Sequence, residues 1–261
     1  RSISRPVTTP STDDPEACRL SRPAQVAEAI KALVVAEAMQ PGDRLPGETA
    51  LMDRFGMAKG TIREAMRILE AQGLIKTRTG PGGGAFVHEV SLGRAWALLG
   101  NYFYFKSVSI ADIYQLRRLL EPELAAGLAG NLGEADLARL EANIRAHDAP
   151  PATAEEERAQ HVASLRFHQL LAGYADNALL GFLVGFMASM LSDLTVYRHL
   201  YEPRNYALWR KGREHQAALV EALRKGDAAQ ARATMRSHME IAQTLMAEQE
   251  AEMEKRFLQA R

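Results

Sequence analysis

Three histidines in the second half of the chain carry the side chains best suited to hold a metal. His168, His215 and His238 each fall on an apolar stripe of a predicted helix. A buried imidazole loses its hydrogen bonds to water, and a divalent metal replaces them at about 2.0 to 2.1 Å per nitrogen. The three residues are therefore candidate metal ligands. The alternative is three unrelated core or rim histidines that are hydrogen-bonded to backbone carbonyls.

The spacing of two histidines around a predicted turn favours the metal interpretation. Gly226 marks a helical hairpin, 11 residues after His215 (226 minus 215) and 12 residues before His238 (238 minus 226). Because the two helices would run antiparallel from that turn, their imidazoles would face each other at one level. His168, on an earlier helix, could join them.

Arg117 falls on the apolar stripe that contains Ile113 and Leu124. A guanidinium on a buried face is costly unless it meets an anion. That anion is either a ligand carboxylate or Glu121, one helical turn further along. Arg198 is a second candidate for the same role. A cation at a cavity wall suits a carboxylate effector.

A separate signal lies at residues 57–74. The whole chain has 32 basic and 32 acidic residues, so any affinity for nucleic acid must be local. Residues 55–88 carry five basic and two acidic side chains. Lys59 and Arg63 come early in the predicted helix, which either reads DNA or is a solvated face with ion pairs along the helix. Its apolar residues share one inward face: Ile62, Ala65, Met66 and Leu69.

The neighbouring elements favour the DNA interpretation. Apolar periodicity predicts a helix over 23–38 and a short helix over 47–55. After the third helix, β-branched runs at 74–77 and 85–90 flank a glycine-rich segment at 79–84, which predicts a β-hairpin. Three helices and a hairpin form a winged helix-turn-helix, whose third helix enters the major groove of DNA. A phosphate-binding loop is disfavoured, because the glycines lack the Gly-Lys-Ser/Thr ending and precede a strand.

From residue 91 onward the apolar pattern is helical throughout. The predicted fold is mainly α: a flexible tail at 1–20, a winged helix-turn-helix at 21–90 and an antiparallel α-helical bundle at 91–261. Helices of the bundle are predicted at 91–105, 110–130, 133–147, 154–174, 177–199, 204–225 and 227–257.

Two features bear on location. The single cysteine, Cys18, cannot form an internal disulfide, which indicates a reducing cytoplasm. The uncharged run at 177–192 is shorter than the about 18 to 20 apolar residues that span a bilayer. It favours a buried helix and no membrane partner.

The segment PGDRLPGETALMDRFGMAKGTIREAMRILEAQGLIKTRTGPGGGAFV resembles the winged helix of the GntR family. The resemblance implies that Arg44, ahead of the second helix, contacts DNA together with residues of the third helix and the wing tip: Lys59, Thr61, Arg63, Gly82, Gly83 and Gly84. Thr49 stands at a DNA-contacting position where the family usually has arginine, and Ala58-Lys59 replaces the usual Ser-Arg. Lysine is a point charge where arginine offers a fork to guanine, so we expect an operator that differs from the commonest one.

The second half resembles the ligand-binding, FCD-like domain of the FadR-type branch, on RFHQLL, REHQAALVEALRKGDAAQARATMRSHM and residues 116–129. In many members an Asp or Asn four residues before the first histidine joins three histidines around zinc or nickel, and a carboxylate effector completes the site. Ser164 occupies that position here, and its neutral hydroxyl is a poor ligand. His161 lies about 10 Å along the helix from His168, which is too far for it to bind the same metal in place of the missing carboxylate. We expect three histidines with water or effector oxygens in the open positions.

These signals predict a ligand-responsive transcription regulator. It would bind a double-stranded DNA operator as a homodimer, because two half-sites one helical turn apart match a twofold protein. A small carboxylate or sugar acid would switch it. One alternative is a metal hydrolase that uses the three histidines, although no general base lies beside them in the pattern. The other is a metal-free helical scaffold that only dimerises.

Overall fold

The structure, a computed structural model, describes residues 20–197 and 204–259. The tail predicted at 1–20 lies outside the described residues except for Leu20, and the effector candidate Arg198 also lies outside them. The chain divides into two compact units, the first ending at Ala97 and the second beginning at Leu98. The division falls a few residues beyond the predicted boundary at residue 90.

The first unit contains three helices and a two-stranded sheet: α1 (Arg22–Ala36), α2 (Glu48–Phe55), α3 (Lys59–Gln72), β1 (Ile75–Arg78) and β2 (Gly84–Val87). Ser21 begins α1 by accepting a hydrogen bond from the Ala24 N–H at 3.4 Å. Gly56 and Gly73 end α2 and α3 with φ angles of 64° and 83°, in the left-handed region that favours glycine.

The two strands pair antiparallel, with Ile75 opposite Val87 and Arg78 opposite Gly84. β2 is shorter than the predicted strand at 85–90, because β1 offers only four residues to pair with. The apolar face of α3 packs on the other two helices and the sheet, and the buried core includes Ile30, Leu51, Ile62, Leu69 and Ile75. The predicted winged helix-turn-helix is confirmed.

The second unit is an α-helical bundle. Its helices are α4 (Leu92–Tyr104), which contains the division between the units, α5 (Ile110–Leu128), α6 (Glu134–Arg145), α7 (Ala154–Gly173), α8 (Ala178–Tyr197), α9 (Tyr206–Lys225) and α10 (Ala228–Gln259). Ser109 and Asp112 form a reciprocal capping box at the start of α5. α10 packs along α5 and α9, and α7 packs along α8.

α8 is the most apolar helix of the bundle. By length and composition alone its residues Ala178–Thr195, with a mean hydropathy of 1.6, could cross a membrane. The helix packs on α5 and α7, and Val184, Ala188 and Leu191 are buried in the bundle core. Core helices of globular proteins often have this composition, so the segment is weak evidence for a membrane.

The turn between α9 and α10 contacts the end of α5. Gly226 ends α9 with a φ of 70°, and the Gly130 N–H donates to the Leu223 carbonyl at 2.9 Å. A Cβ atom on Gly130 would lie 3.3 Å from the Gly226 Cα. Two backbones without side chains can approach this closely, so the glycines set the height of the α9–α10 hairpin relative to α5.

Candidate DNA interface and effector site

Lys59 and Arg63 lie on the exposed N-terminal part of α3. Their side chains are 58% and 57% exposed and share one acceptor, Glu48 of α2. Arg63 Nε lies 2.9 Å from Glu48 Oε1, and Lys59 Nζ lies 3.8 Å from Oε2. Thr49 is exposed beside Glu48, whereas Thr61 is half-buried. Because exposed ion pairs contribute little, a DNA phosphate can replace Glu48 at small cost.

The start of α3 adds to this positive surface. Ala58 is the N-cap and makes no side-chain hydrogen bond to the helix. The positive end of the helix dipole therefore has no side-chain acceptor at its cap, an arrangement that suits a phosphate.

The wing tip depends on glycine. The Arg44 Nη2 donates to the Gly83 carbonyl at 2.6 Å. A Cβ atom on Gly83 would lie 2.6 Å from the Arg78 carbonyl oxygen, closer than atoms can approach. Gly82 and Gly84 have φ angles of 76° and 146°. The hydrogen bond from Arg44 thus attaches its guanidinium group to the wing tip.

A buried chain of polar groups joins α5 to α7. Arg117 and Glu121, each with a side chain 1% exposed, form a salt bridge between Arg117 Nε and Glu121 Oε1. The other carboxylate oxygen, Oε2, lies 2.5 Å from His168 Nδ1. Arg117 therefore does pair with Glu121, one of the two partners that its position predicted. Its Nη2 is nevertheless buried without a hydrogen-bond partner.

The linked groups Arg117, Glu121 and His168 differ in charge state. Burial is the largest single influence on Glu121 and would raise its pKa, but the attraction and hydrogen bonds of Arg117 and His168 together outweigh it and lower the pKa to about 2. Burial lowers the pKa of His168 despite the neighbouring carboxylate. An ionised Glu121 accepts from the His168 Nδ1–H, which leaves His168 Nε2 as an acceptor.

His168 and His238 face each other. Their Nε2 atoms are 3.2 Å apart, and their rings are nearly parallel with centroids 5.2 Å apart. Burial lowers the pKa of His238 well below its usual value, so both rings are neutral at pH 7. The pair can share one proton as a hydrogen bond. Two nitrogens bound tetrahedrally to one zinc would have a similar separation, about 3.4 Å.

His215 does not join the pair as predicted. Its ring centroid is 5.4 Å from that of His238, but its Nδ1 lies 2.8 Å from the Lys211 carbonyl and its Nε2 lies 3.2 Å from the Ser237 hydroxyl. The predicted level along the hairpin is reached, while both ring nitrogens bond elsewhere. Within residues 20–197 and 204–259, no three His, Cys, Asp or Glu side chains are grouped to hold a metal.

Ser164 also has a protein partner. Its hydroxyl lies 2.9 Å from Nε2 of Gln216, a buried residue of α9. Gln216, and not its neighbour His215, lines the cavity, and Gln216 is 3% exposed. The amide occupies the direction from which α9 would otherwise present a ligand to Ser164.

A cavity of about 60 Å³ lies between α5, α6, α7, α9 and α10, with Arg117, His168 and His238 in its wall. The volume exceeds the about 10 to 15 Å³ that one water needs. Its polar lining includes Arg117, Glu157, Gln160, His161, Ser164, His168, Asn205, Arg213, Gln216 and His238, and its apolar lining includes Ile144, Leu165, Leu208, Trp209, Met239 and Ala242.

The sequence interpretation overlooked several of these groups. Glu121 is predicted only as a partner for Arg117, and Glu157, Gln160 and Gln216 are not among the predicted site residues. A signal existed on α7, where polar residues recur at three- and four-residue intervals through Glu157, Gln160, Ser164 and His168. No comparable signal marks Gln216. The apolar periodicity of α9 already accommodates His215, and it does not indicate which of these two adjacent residues faces the cavity.

A winged helix with a basic recognition helix, joined in one chain to a helical unit with a cation-lined cavity, defines a ligand-responsive DNA-binding regulator. Two family descriptions match the two parts: "Bacterial regulatory proteins, gntR family" at residues 23–87 and "FCD domain" at residues 112–241. The chain belongs to the GntR family of bacterial regulators and carries an FCD domain.

Known relatives agree with this assignment. The HTH-type transcriptional regulator LutR of Bacillus subtilis is 28% identical over 207 residues, which are 77% of this chain and 90% of LutR. The putative L-lactate dehydrogenase operon regulatory protein of Escherichia coli is 25% identical over 235 residues, 85% of each chain. The solved Streptococcus agalactiae GntR, 21% identical with a TM-score of 0.58, covers 85% of this chain and 99% of its own, and supports the fold. The family is one of transcription regulators and not of enzymes, so the hydrolase alternative is wrong.

Proposed function

We propose that this regulator binds its operator as a homodimer and changes its affinity for DNA when a small carboxylate occupies the cavity of the second unit. The observation that carries the proposal is Arg117 Nη2, a buried guanidinium nitrogen at the cavity wall without a hydrogen-bond partner. Leaving such a donor unpaired costs about 1 to 3 kcal/mol or more, and a carboxylate oxygen removes that penalty.

The names of the relatives support a small organic acid. One of them is a putative regulator of an L-lactate dehydrogenase operon. Lactate is a small hydroxy acid, and sugar acids share its carboxylate and hydroxyl groups. We therefore propose a small carboxylate or sugar acid as the effector, acting in the cytoplasm where the DNA lies.

Effector binding would act by favouring one arrangement of the two recognition helices in the dimer. This requires the effector to bind that arrangement more tightly than the other. α4, which contains the division between the units, is the covalent connection through which the change would pass.

The effector proposal can be tested with Arg117→Lys. Lysine keeps the positive charge that buried Glu121 needs but lacks the second guanidinium nitrogen. We expect the concentration of L-lactate or a sugar acid that shifts operator affinity to rise about tenfold or more, as measured by fluorescence anisotropy. A carboxylate panel without effect on operator affinity in the wild type would refute the proposal.

The proposed DNA contacts are Lys59, Thr61 and Arg63 of α3, Thr49 of α2, and the wing with Arg44, Gly82, Gly83 and Gly84. Their support is the exposure and positive charge of Lys59 and Arg63 and the glycine-dependent wing tip. Lys59→Ala combined with Arg63→Ala should weaken binding to a genomically selected operator by about 100-fold or more, since each base or phosphate contact contributes about 1 to 3 kcal/mol.

The matched control for that variant is Arg67→Ala. Arg67 lies on the same helix, is 76% exposed and pairs with Glu64, three residues earlier on that helix. It should leave operator affinity within about threefold. Equal losses in the two variants would mean that charge alone, rather than this face of α3, drives binding.

A divalent metal such as zinc or nickel is a second part of the proposal, and the residues fit it in part. His168 and His238 present two nitrogens at a suitable separation, and Glu121 orients His168 as a carboxylate orients many metal-binding histidines. Ser164 adds no charge, and His215 would have to leave Lys211 and Ser237 to bind. The metal would supply positive charge for effector oxygens, and we expect it to be weakly held.

Elemental analysis of the purified protein tests the metal. His238→Gln should remove any bound metal, whereas His147→Gln, at another position of the cavity wall, should retain it. Metal content that is equal in the two variants would exclude the His168–His238 pair as its site.

The proposed dimer contact is an apolar face formed by α5 and α8. These helices pack on each other, and leucines of both are exposed: Leu116, Leu119, Leu179 and Leu183. Exposed leucines grouped on adjacent helices are typical of a protein interface. Leu119→Glu should shift the protein from dimer to monomer in sedimentation velocity, whereas Val35→Glu on α1, at a residue that is 79% exposed, should not.

A further inference from the structure

We propose that the effector carries a hydrogen-bond donor, O–H or N–H, at the end opposite its carboxylate, and that Glu157 and Gln160 accept from it. The inference rests on the proposed function only in taking the cavity as the effector site. It assigns a second subsite, formed by the N-terminal part of α7, in addition to the cationic one at Arg117.

Glu157 supplies the first acceptor. It is 6% exposed, and its Oε1 accepts the backbone N–H of Asn205 at 2.6 Å. Its Oε2 is buried at the cavity without a hydrogen-bond partner. Burial raises the pKa of Glu157 by more than the Asn205 N–H and the nearby charge of Arg204 lower it.

Gln160 supplies the second acceptor. Its Nε2 donates to the Ala149 carbonyl at 2.9 Å, and this bond assigns the orientation of the amide. The Oε1 is consequently left as an acceptor, and it too is buried without a partner. Two neighbouring acceptors that both lack a donor favour a ligand group that brings one.

The cation and the acceptors lie at different heights along α7. Arg117 acts on His161, whose pKa is lowered to about 4 first by burial and then by this guanidinium. Arg117 also reaches His168 through Glu121. Glu157 is one turn before His161, about 6 Å along the axis. A ligand that satisfies both subsites therefore has its carboxylate and its donor separated by a short chain.

The remaining guanidinium of the described cavity wall is already occupied. Arg213 donates to the carbonyls of Ile144 and His147 at 2.7 Å each and pairs with Asp148. It therefore has little capacity left for an effector. The cavity has an unpaired donor at Arg117 and unpaired acceptors at Glu157 and Gln160. These groups would therefore fix the orientation of a bound ligand.

The test compares matched ligands on the full-length protein by isothermal titration calorimetry. The probes are hexanoate, 6-hydroxyhexanoate and 6-aminohexanoate, with butyrate, 4-hydroxybutyrate and 4-aminobutyrate as a shorter series. At one length or both, we expect an acid with a terminal donor to bind about tenfold more tightly than the unsubstituted acid. The hydroxyl and amino members tell a neutral donor from a charged one. Hexane-1,6-diol, which lacks the carboxylate, should bind weakly.

Glu157→Gln is the decisive variant, because it keeps the shape of the side chain and places an N–H₂ donor where the unpaired acceptor was. It should abolish the preference for the terminal donor. Glu155→Gln is the matched control, since Glu155 lies in the same first turn of α7, is exposed and carries the same charge. Thermal unfolding of both variants checks that they fold.

Three results would overturn the inference: equal affinities within both series, a preference that survives Glu157→Gln, or no binding of any probe to the wild-type protein. The proposed function fails separately. Probes that bind with the expected preference but leave operator affinity unchanged would remove the proposed switch and keep the subsite. If the unsubstituted acids change operator affinity to the same extent as the substituted acids, the proposed switch is kept and the acceptor subsite is removed.

Discussion

Each unit of this regulator contains a glutamate that joins two basic side chains at its candidate functional site, and these two glutamates differ in burial. Glu48 lies between Lys59 and Arg63, and its side chain is 41% exposed. Glu121 lies between Arg117 and His168 and is 1% exposed. The two sites therefore place a similar arrangement of charges at an exposed position in one unit and in the interior of the other.

The difference in burial determines what each glutamate can do. An exposed ion pair contributes about 0 to 1 kcal/mol, so Lys59 and Arg63 can leave Glu48 for DNA with little loss. A buried pair is held in place, because removing one partner leaves an uncompensated charge in the interior. Glu48 is an exchangeable partner, whereas Glu121 orients Arg117 and His168 toward the cavity.

The strongest way to break this comparison is Glu121→Ala. It leaves the Arg117 charge buried without its carboxylate, and we expect a loss of about 3 to 5 kcal/mol in the free energy of unfolding. Glu123→Ala on the same helix is the control. Glu123 forms two 2.8 Å hydrogen bonds to exposed Arg232, and its loss should cost about 1 kcal/mol or less. Urea denaturation measures both, and similar losses would contradict the assigned role of burial.

Acidification should distinguish the buried polar cluster by a second route. The pKa of His161 is lowered to about 4 by burial and by Arg117. In the unfolded chain the His161 imidazole takes up a proton near pH 6.5, whereas in the folded chain it stays neutral until about pH 4. The contribution of neutral His161 to the free energy of unfolding is therefore complete above pH 6.5 and is lost as the pH falls toward 4. The expected slope is at most about 1.4 kcal/mol per pH unit for this group.

The measurement is urea denaturation between pH 7 and pH 5 in the presence of a chelator, which removes metal release as a cause. His161→Gln should reduce the slope. An unchanged slope in that variant would assign the acid sensitivity to other groups.

The smallest expected effect sharpens the exposed side of the comparison. Glu48→Gln removes the charge that Lys59 and Arg63 share, without removing a buried group. We expect about a threefold to tenfold gain in operator affinity and a change in unfolding free energy below about 1 kcal/mol. Fluorescence anisotropy at two salt concentrations checks the gain, and a loss of affinity would show that Glu48 positions the two cations.

The sequence was sufficient to predict the order of the helices and the winged hairpin. These depend on the period of apolar residues and on glycines at turns, which are local properties. The level of His215 and His238 around Gly226 was also predictable, because helical rise is regular. The direction of each ring was not, since it depends on which nearby acceptor is closer, as Lys211 and Ser237 are to His215.

The acceptor subsite was harder to predict from the sequence for a similar reason. The pattern indicated that Arg117 needs an anion, but it could not divide the guanidinium between Glu121 and a ligand. Whether Glu157 and Gln160 face solvent or a cavity depends on where α9 begins, and the Asn205 N–H that binds Glu157 is 48 residues away in the chain. Such contacts between distant segments are not encoded in local periodicity.

The close contact between Gly130 and Gly226 has a consequence for how this protein can diversify. The contact fixes the height of α9 and α10 relative to α5. A point substitution on these helices therefore changes one cavity side chain and leaves the heights of the others unchanged. An inserted residue between Gly226 and His238 would instead rotate all later cavity positions by about 100°. New effector preferences should therefore arise by substitution within these helices, and length changes should collect in connections such as residues 146–153.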